Sequence, residues 1–379
     1  MTGPVIGDDW VRSLTDPALF RAEQASLAHV WTFLGLDRDV KRDGDWIRAT
    51  IATREVFVQR FGGELRGFEN LCVHRFYPLR TAERGNGPVI CGFHSWQYNR
   101  DGVAVGIPQC TDLYGTPPHR LGARLKQIEL ATCGSMIFGR FPSPEANQSL
   151  DEFLGDAAPI LEATTRIEGE PLHFLRTIQA NWKLNMQTSL DDYHSPTVHP
   201  TTFGRSGYLT TASRRYFRMG AHSAFLHTGD DDGFKQLLDG CRDGTYRSRC
   251  YFILHIMPDL VVAHVNADRP FWFVTIHQFS ALAADRSMLR AWSFPSPFAA
   301  DRPKLARVLR PVTDPFRRSI FFYYLKRVLR EDSVVCENIQ RVAHQIDRLP
   351  MLGALEERIA WFQQSIRTLT GMNKQETTK

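Results

Sequence analysis

Two mixed pairs of metal-ligating residues stand close together in the chain. They are Cys72-x-His74 in "LCVHRFYPLR" and Cys91-x2-His94 in "CGFHSWQYNRDG", with sixteen residues between His74 and Cys91. Thiolate and imidazole are the ligands of structural zinc, so a zinc site is one reading. Zinc modules usually pair Cys with Cys and His with His, whereas here each pair is mixed. A [2Fe–2S] centre can instead take two thiolates on one iron and two imidazoles on the other. Two facing loops, each giving one Cys and one His, deliver that set. Pro78, Gly87, Pro88 and Gly92 suit tight loops that aim backbone amides at sulfur.

These residues also carry a resemblance. Cys-x-His-Arg, a spacer of this length, then Cys-x2-His-x-Trp-x-Tyr and Asp-Gly resemble the Rieske motif of the terminal oxygenases of ring-hydroxylating systems. Cys72, His74, Arg75, Cys91, His94, Trp96, Tyr98, Asp101 and Gly102 match it residue by residue. Phe76 and Ser95 depart from it, standing where glycine is common. The loops hold no further Cys, unlike the disulfide-tied Rieske proteins of respiratory chains. The resemblance implies a Rieske [2Fe–2S] cluster on Cys72, His74, Cys91 and His94.

An oxygenase also needs a site that binds O2, hence further ligands. "NWKLNMQTSLDDYHSPTVHP" supplies His194 and His199, preceded by Asp191 and Asp192. Two His and one carboxylate leave positions open on Fe(II) for O2 and substrate. Residues five apart on a regular helix point roughly 140° away from each other. Pro196 is therefore expected to disturb the helix and let His199 swing back. The third ligand is sought in "LREDSVVCENIQRVAHQI", between Glu331 and Asp332. The apolar stripe Val335, Ile339, Val342, Ile346, extended back by three, reaches Asp332 and leaves Glu331 about 100° off. Asp332 is the expected ligand, against the alternative of a capping or salt-bridged Asp.

This half resembles the same family, whose catalytic domain carries N-W-K, Asp-x2-His-x4-His and a distant acidic segment. The resemblance runs from about Trp31 to Gln340, with Gln187 and Thr188 where many members have Glu and Asn. It implies head-to-tail homotrimers in which Asp191 bridges His194 to His94 of the next subunit. Asp191 and His194, three apart, are expected to share a helix face, and Asp192 to be solvated or a helix-end charge. The chain has no plant-type ferredoxin Cys spacing and no flavin or nicotinamide fingerprint. Electrons from NAD(P)H must then arrive through a separate reductase, with or without a ferredoxin. The implied substrates are O2 and a small, aromatic organic molecule to be hydroxylated, dihydroxylated or demethylated.

The elements that must position these groups read as an α+β chain. Asp16-Pro17 opens a helix running to about Trp31. Short β-rich runs follow from about Trp46 to Phe141, forming a small antiparallel module that holds both Cys/His pairs. A boundary near Pro144 leads to a second domain. There "CYFILHIM", "LVVAHVN", "PFWFVTIHQFSALA" and "SMLRAWSF" are strands of an antiparallel sheet flanked by helices, a helix-grip-like arrangement. In "PFWFVTIHQF", Phe271, Phe273, Thr275 and His277 share one face, which could line a pocket, and Trp272, Val274 and Ile276 the other. His222, His227, His255, His264 and His277 are expected to be satisfied by hydrogen bonds. The last helix is expected to start at Asp314-Pro315. The expected domains are a helical segment over 1–30 packed on the catalytic domain, the cluster domain over 31–143 and the catalytic domain over 144–379.

Length and composition set outer limits. The 379 residues, 43% hydrophobic and 23% charged, suit two folded domains rather than a disordered chain. A net charge of +5 without a Lys/Arg run argues against nucleic-acid binding. With neither a leader nor a membrane-length apolar run in view, a cytoplasmic protein is expected. Seven Cys is no disulfide framework, and Cys110, Cys133, Cys241, Cys250 and Cys336 are expected to be packing residues. Two competing readings remain: a Rieske electron-transfer or sensory protein without a working mononuclear site, and a zinc-stabilised binding protein.

Overall fold

A computed structural model of the chain describes residues 9–165, 170–202, 214–227, 232–246, 251–265, 273–295 and 310–371. Contacts divide it into two compact units, one of Leu27–Phe153 and one joining Met1–Ser26 to Leu154–Lys379. The sequence reading drew its lines after residues 30 and 143.

The first unit is built on strands β1 (Thr32–Leu36), β2 (Asp45–Ile51), β3 (Arg54–Phe61), β4 (Glu64–Glu69), β5 (Arg84–Asn86), β6 (Val89–Ile90), β7 (Gln97–Tyr98), β8 (Ala104–Gly106), β9 (Gln127–Cys133) and β10 (Met136–Arg140). Seven of them form an antiparallel sheet in the order β1-β10-β9-β4-β3-β2-β5, and β6-β7-β8 form a second, small one. Phe57 and Phe68 from the large sheet and Val89 and Tyr98 from the small one close on a core that includes Cys72 and Cys91. The Asp101-Gly102 turn is held by Asn99, whose Oδ1 accepts from the N–H groups of Asp101 and Val103. Gly102 has φ +74°, and a Cβ there would lie 2.7 Å from the Phe68 ring. Both sterics and backbone demand glycine.

Helices α1 (Asp9–Arg12) and α2 (Pro17–Leu27) precede this sheet, and α3 (Cys110–Tyr114) and α4 (Pro118–Leu121) lie within the unit. Asp16 caps α2 as expected, its Oδ1 accepting from Ala18 N at 2.7 Å. The helix stops at Leu27, short of Trp31.

In the second unit α5 (Leu150–Leu154) and α6 (Ala157–Thr165) lead to β11 (Leu172–Ile178), then α7 (Trp182–Leu190) and the one-turn α8 (Ser195–Val198). The sheet continues with β12 (Arg214–Met219), β13 (His222–His227), β14 (Phe252–Ile256), β15 (Leu260–Val265), β16 (Phe273–Ala283) and β17 (Arg286–Pro295). α9 (Gly233–Arg242) is inserted before β14, and α10 (Arg310–Val342) and α11 (Glu357–Thr370) follow β17. All seven strands are antiparallel in the order β11-β17-β16-β15-β14-β13-β12. This is the α+β architecture expected, a sheet gripped by helices.

Helix α10 already runs at Arg310, so Pro315 sits inside it rather than at its first position. Near a helix start a proline forfeits at most a bond or two, which the following turns outweigh. The stripe inferred on this helix is also corrected. Ile339 and Val342 are exposed, whereas Leu325, Leu329, Ser333, Cys336 and Ala343 are buried. Phe321, on the same helix, stacks flat on Phe273 of β16 at 3.7 Å. Phe271 and Trp272 lie outside the described residues.

Candidate metal centres and their cavity

The two Cys/His loops follow β4 and β6 and are closed in the same way. Cys72 N–H donates to Tyr77 O at 2.9 Å and Phe76 N–H to Cys72 O at 2.8 Å. In the second loop Cys91 N–H donates to Trp96 O at 2.8 Å and Ser95 N–H to Cys91 O at 3.0 Å. The residue four after each Cys must then turn left-handed, and Phe76 and Ser95 have φ of 61° and 58°. Glycine is common there for that reason, and a side chain costs about 1 kcal/mol at each position.

Both thiols are buried and unpaired by disulfide. The His74 and His94 rings lie 4.6 Å apart, and His74 stacks on Trp96 with 2° between planes. His94 Nδ1 is buried with no hydrogen-bond partner. A buried ring nitrogen left so is unfavourable unless a metal takes its lone pair. Two sheltered thiols, two adjacent imidazoles and one orphan nitrogen fit a [2Fe–2S] cluster. Tyr98 Oη lies 3.0 Å from Cys72 Sγ, and burial and the sulfur push its pKa up, keeping the phenol a donor.

In the second unit "NWK" anchors the start of α7. Asn181 caps it, accepting from Lys183 N at 3.0 Å and donating to Ala284 O at 2.7 Å. Trp182 Nε1 donates to Glu23 Oε1 at 3.0 Å, and Lys183 Nζ bonds Glu23 Oε2 with both groups buried. Burial pulls the Lys183 pKa down, opposed by Glu23.

Helix α7 ends at Leu190, so His194 and His199 do not share a disturbed helix. They flank α8, His194 as its N-cap and His199 as its C-cap, with Pro196 in its first turn. One turn of helix thus converges rings that a longer helix would splay, to 5.3 Å. Asp191 Oδ2 is 3.2 Å from His194 Nδ1, a contact made by the link between the helices rather than by a common face.

His194 and His199 meet Asp332 of α10, their ligand atoms all within 4.8 Å of one another. Asp332 Oδ1 is 3.4 Å from His194 Nε2 and 3.0 Å from His199 Nε2, yet it is buried with no hydrogen-bond partner. Two imidazoles and a carboxylate crowded on one point suit a shared cation. Without a metal the groups share protons. Burial opposes the His194 charge, but Asp191 and Asp332 outweigh it and push its pKa up to about 10. Asp332, against its own burial, is drawn down by the two imidazoles.

Glu331, set aside on helical phase, is the residue that sequence reasoning missed. Its Oε2 lies 2.9 Å from His199 Nδ1, while Arg327 Nε, one turn back, holds Oε1 at 2.9 Å. The only sequence signal was the i,i+4 spacing of Arg327 and Glu331. Asp192, expected in solvent, is 6% exposed, and burial pushes its pKa up to about 6 against the pull of Arg358 and Arg214. Thr188 Oγ1 donates to Leu184 O at 3.0 Å, and Gln187 Nε2 is buried without a partner.

A cavity opens beside the His/Asp group, walled by Ile253, Val261 and Ala263 on the sheet and Leu325, Val328 and Leu329 on α10. Thr275 and His277 lie on its sheet wall. His222 accepts from Met257 N, His255 pairs with Ser223 and His264 with Tyr246, as expected of satisfied histidines. His277 Nε2 is buried and unbonded, as is His255 Nε2, but His277 also faces the cavity. Cys110, Cys133, Cys241 and Cys336 are buried and free, and Cys250 lies outside the described residues. Among the described residues no helix is long and apolar enough to cross a membrane.

Comparison with known proteins places both halves of the chain in known families. Residues 30–123 match the Rieske [2Fe-2S] domain, and residues 161–371, more than half of the chain, match the ring hydroxylating alpha subunit (catalytic domain). The large subunit of anthranilate 1,2-dioxygenase from Acinetobacter baylyi is 31% identical over 212 residues, 53% of this chain and 43% of that protein. The large oxygenase component of naphthalene 1,2-dioxygenase from Pseudomonas fluorescens is 31% identical over 198 residues, 49% of this chain and 43% of its own length. The matches thus span less than half of these curated relatives. The fold matches crystal structures of naphthalene 1,2-dioxygenase from Rhodococcus sp. bound to indole (TM-score 0.73, 20% identity, 96% and 95% of the two chains). It equally matches the quaternary ammonium Rieske monooxygenase CntA with L-carnitine (TM-score 0.73, 14% identity, 95% and 94%). The cofactors that these domains imply are a Rieske [2Fe–2S] cluster and a mononuclear iron, and the donor sets described above fit both. The chain belongs to the Rieske ring-hydroxylating alpha-subunit family.

Proposed function

We propose that this chain is the terminal oxygenase component of a reductase-driven system that uses O2 to oxidise a small organic substrate. The observation that carries the reading is the convergence of His194, His199 and Asp332 beside an apolar cavity. Cys72 and Cys91 would hold one iron of the cluster, and His74 and His94 the other. His194 and His199 through Nε2, with Asp332, would hold Fe(II). When bound, the two groups supply single electrons and a site for O2.

The protein's own work is orientation. Asp191 and Glu331 each occupy the Nδ1 side of one imidazole, leaving Nε2 of both toward Asp332. That sets the tautomer and raises the basicity of each ring. The leucine and valine side chains on α10 shelter the reacting end of a substrate from water. Electrons would come from NAD(P)H through a separate reductase, and a head-to-tail trimer would place Asp191 between His194 and His94 of the neighbour. In Asp191→Asn both metals should stay bound while single-turnover electron transfer slows; an unchanged rate rules out the bridge.

The deciding experiment counts iron and acid-labile sulfide in protein purified without oxygen. About three irons and two sulfides per chain, with His199→Ala abolishing oxygenation and sparing the cluster spectrum, is the expected result. About two irons that Fe(II) does not raise favours electron transfer alone, and zinc without sulfide refutes both.

A further inference from the structure

We infer that the cavity takes a neutral, mostly apolar molecule with one hydrogen-bonding group, which Thr275 Oγ1 and His277 Nε2 receive. The inference rests on the reading of this cavity as the substrate site and specifies what enters it.

Thr275 and His277 stand two apart on β16, facing the same side as Val261 and Ala263, their ladder neighbours on β15. The rest of that wall and the facing stretch of α10 are largely aliphatic. Thr275 is completely buried, and neither its Oγ1 nor the buried His277 Nε2 has a hydrogen-bond partner. Two unmet polar atoms on an apolar wall are unfavourable until a ligand bonds them, and such a site rejects analogues lacking the group.

Charge narrows the class. Burial holds the His277 pKa down to about 4, partly opposed by Asp332, so the ring is neutral at pH 7 and can donate or accept. Thr275 carries no charge either. Asp191, Asp192 and Asp332 line the same cavity, and among the described lining residues there is no Arg or Lys. Asp332 would be engaged by the iron, so beyond it a substrate carboxylate would meet Asp191 and Asp192 and, among the described lining residues, no Arg or Lys side chain. Tyr251 is the one Phe, Tyr or Trp in the described lining, too few for an aromatic cage around a quaternary ammonium. A hydroxyl, a carbonyl or a ring heteroatom fits.

The test is equilibrium dialysis of the iron-loaded, oxygen-free protein against naphthalene, 2-naphthol and 2-naphthoate. Wild type should hold 2-naphthol about fivefold to tenfold more tightly than naphthalene, the ratio one net hydrogen bond supplies. It should hold 2-naphthoate least. Thr275→Val, nearly isosteric, and His277→Leu should each bring the naphthol and naphthalene affinities together while leaving naphthalene binding in place. Equal binding of the two in wild type, strongest binding of the carboxylate, or a preference that survives both substitutions overturns the inference. Should His277→Leu misfold, the wild-type ranking and Thr275→Val still decide. Oxygen uptake on the same preparation, with its cluster first chemically reduced and excess reductant removed, separates the two readings. Uptake without the preference sinks this inference alone, whereas the preference without uptake or a third iron sinks the oxygenase reading and leaves the recognition standing.

Discussion

Removing the Glu331 carboxylate should loosen the mononuclear iron without touching the cluster. Glu331 Oε2 fixes His199 Nδ1 at 2.9 Å, and Arg327 in turn fixes Glu331. His199 is 2% exposed, so water replaces the lost partner poorly. A carboxylate behind a ligand imidazole is worth about 10- to 100-fold in metal affinity, or roughly 1.4–2.7 kcal/mol. Glu331→Gln, which keeps an acceptor without its charge, should lie near the lower bound and Glu331→Ala near the upper. Arg327, half in solvent, acts only through Glu331, and Arg327→Ala should cost about twofold, the value of an exposed i,i+4 pair. The assay is competition for Fe(II) by a coloured chelator, with the visible absorbance of the cluster as internal control. Retention by Glu331→Ala equal to wild type, or loss of the cluster together with the mononuclear iron, would refute the reasoning.

Tyr98→Phe should leave the cluster assembled but lower its midpoint potential by about 40 mV, since one hydrogen bond to sulfur is worth about 1 kcal/mol and 59 mV is tenfold for one electron; electrode titration reads it. Lys183→Met strands the Glu23 charge in the interior and should cost about 3–5 kcal/mol in denaturant unfolding, with Glu23→Leu added to it restoring part of the loss. In iron-free protein the protonated His194 supports the fold. That contribution is complete below about 6.5 and lost as pH rises through about 10, so Tm should fall over that span. Fe(II) requires the neutral ring, and iron affinity should rise with pH over the same range.

What could be read from the sequence was what depends on residue type and short spacing. The cluster loops were legible because a Cys, a His and a left-handed turn must sit within five residues of one another. The fit of Asp332 was reached by a faulty route. The stripe through Ile339 and Val342 is exposed, and the buried track through Leu329, Ser333 and Cys336 is interrupted by small and polar residues that mask its period. Glu331 acts across the fold on a His 132 positions away, and no local pattern marks such a contact. Strand β12, "RRYFRM", was overlooked because three arginines in six residues obscure its apolar pattern, and its burial does not alternate either. Asp192 was misplaced because it was set one step round a helix from Asp191, whereas α7 ends at Leu190 and both residues lie beyond it.

The Lys183–Glu23 pair joins groups 160 residues apart. At roughly 5–20 residues per second on the ribosome, Glu23 waits about eight to thirty seconds for its partner. The cluster-holding unit, residues 27–153, is synthesised entirely within that interval. It can fold and receive iron and sulfide while most of the other unit is still unmade, and Asp332 emerges later still. The order in which the two metal centres become fillable is thus written in the order of the gene.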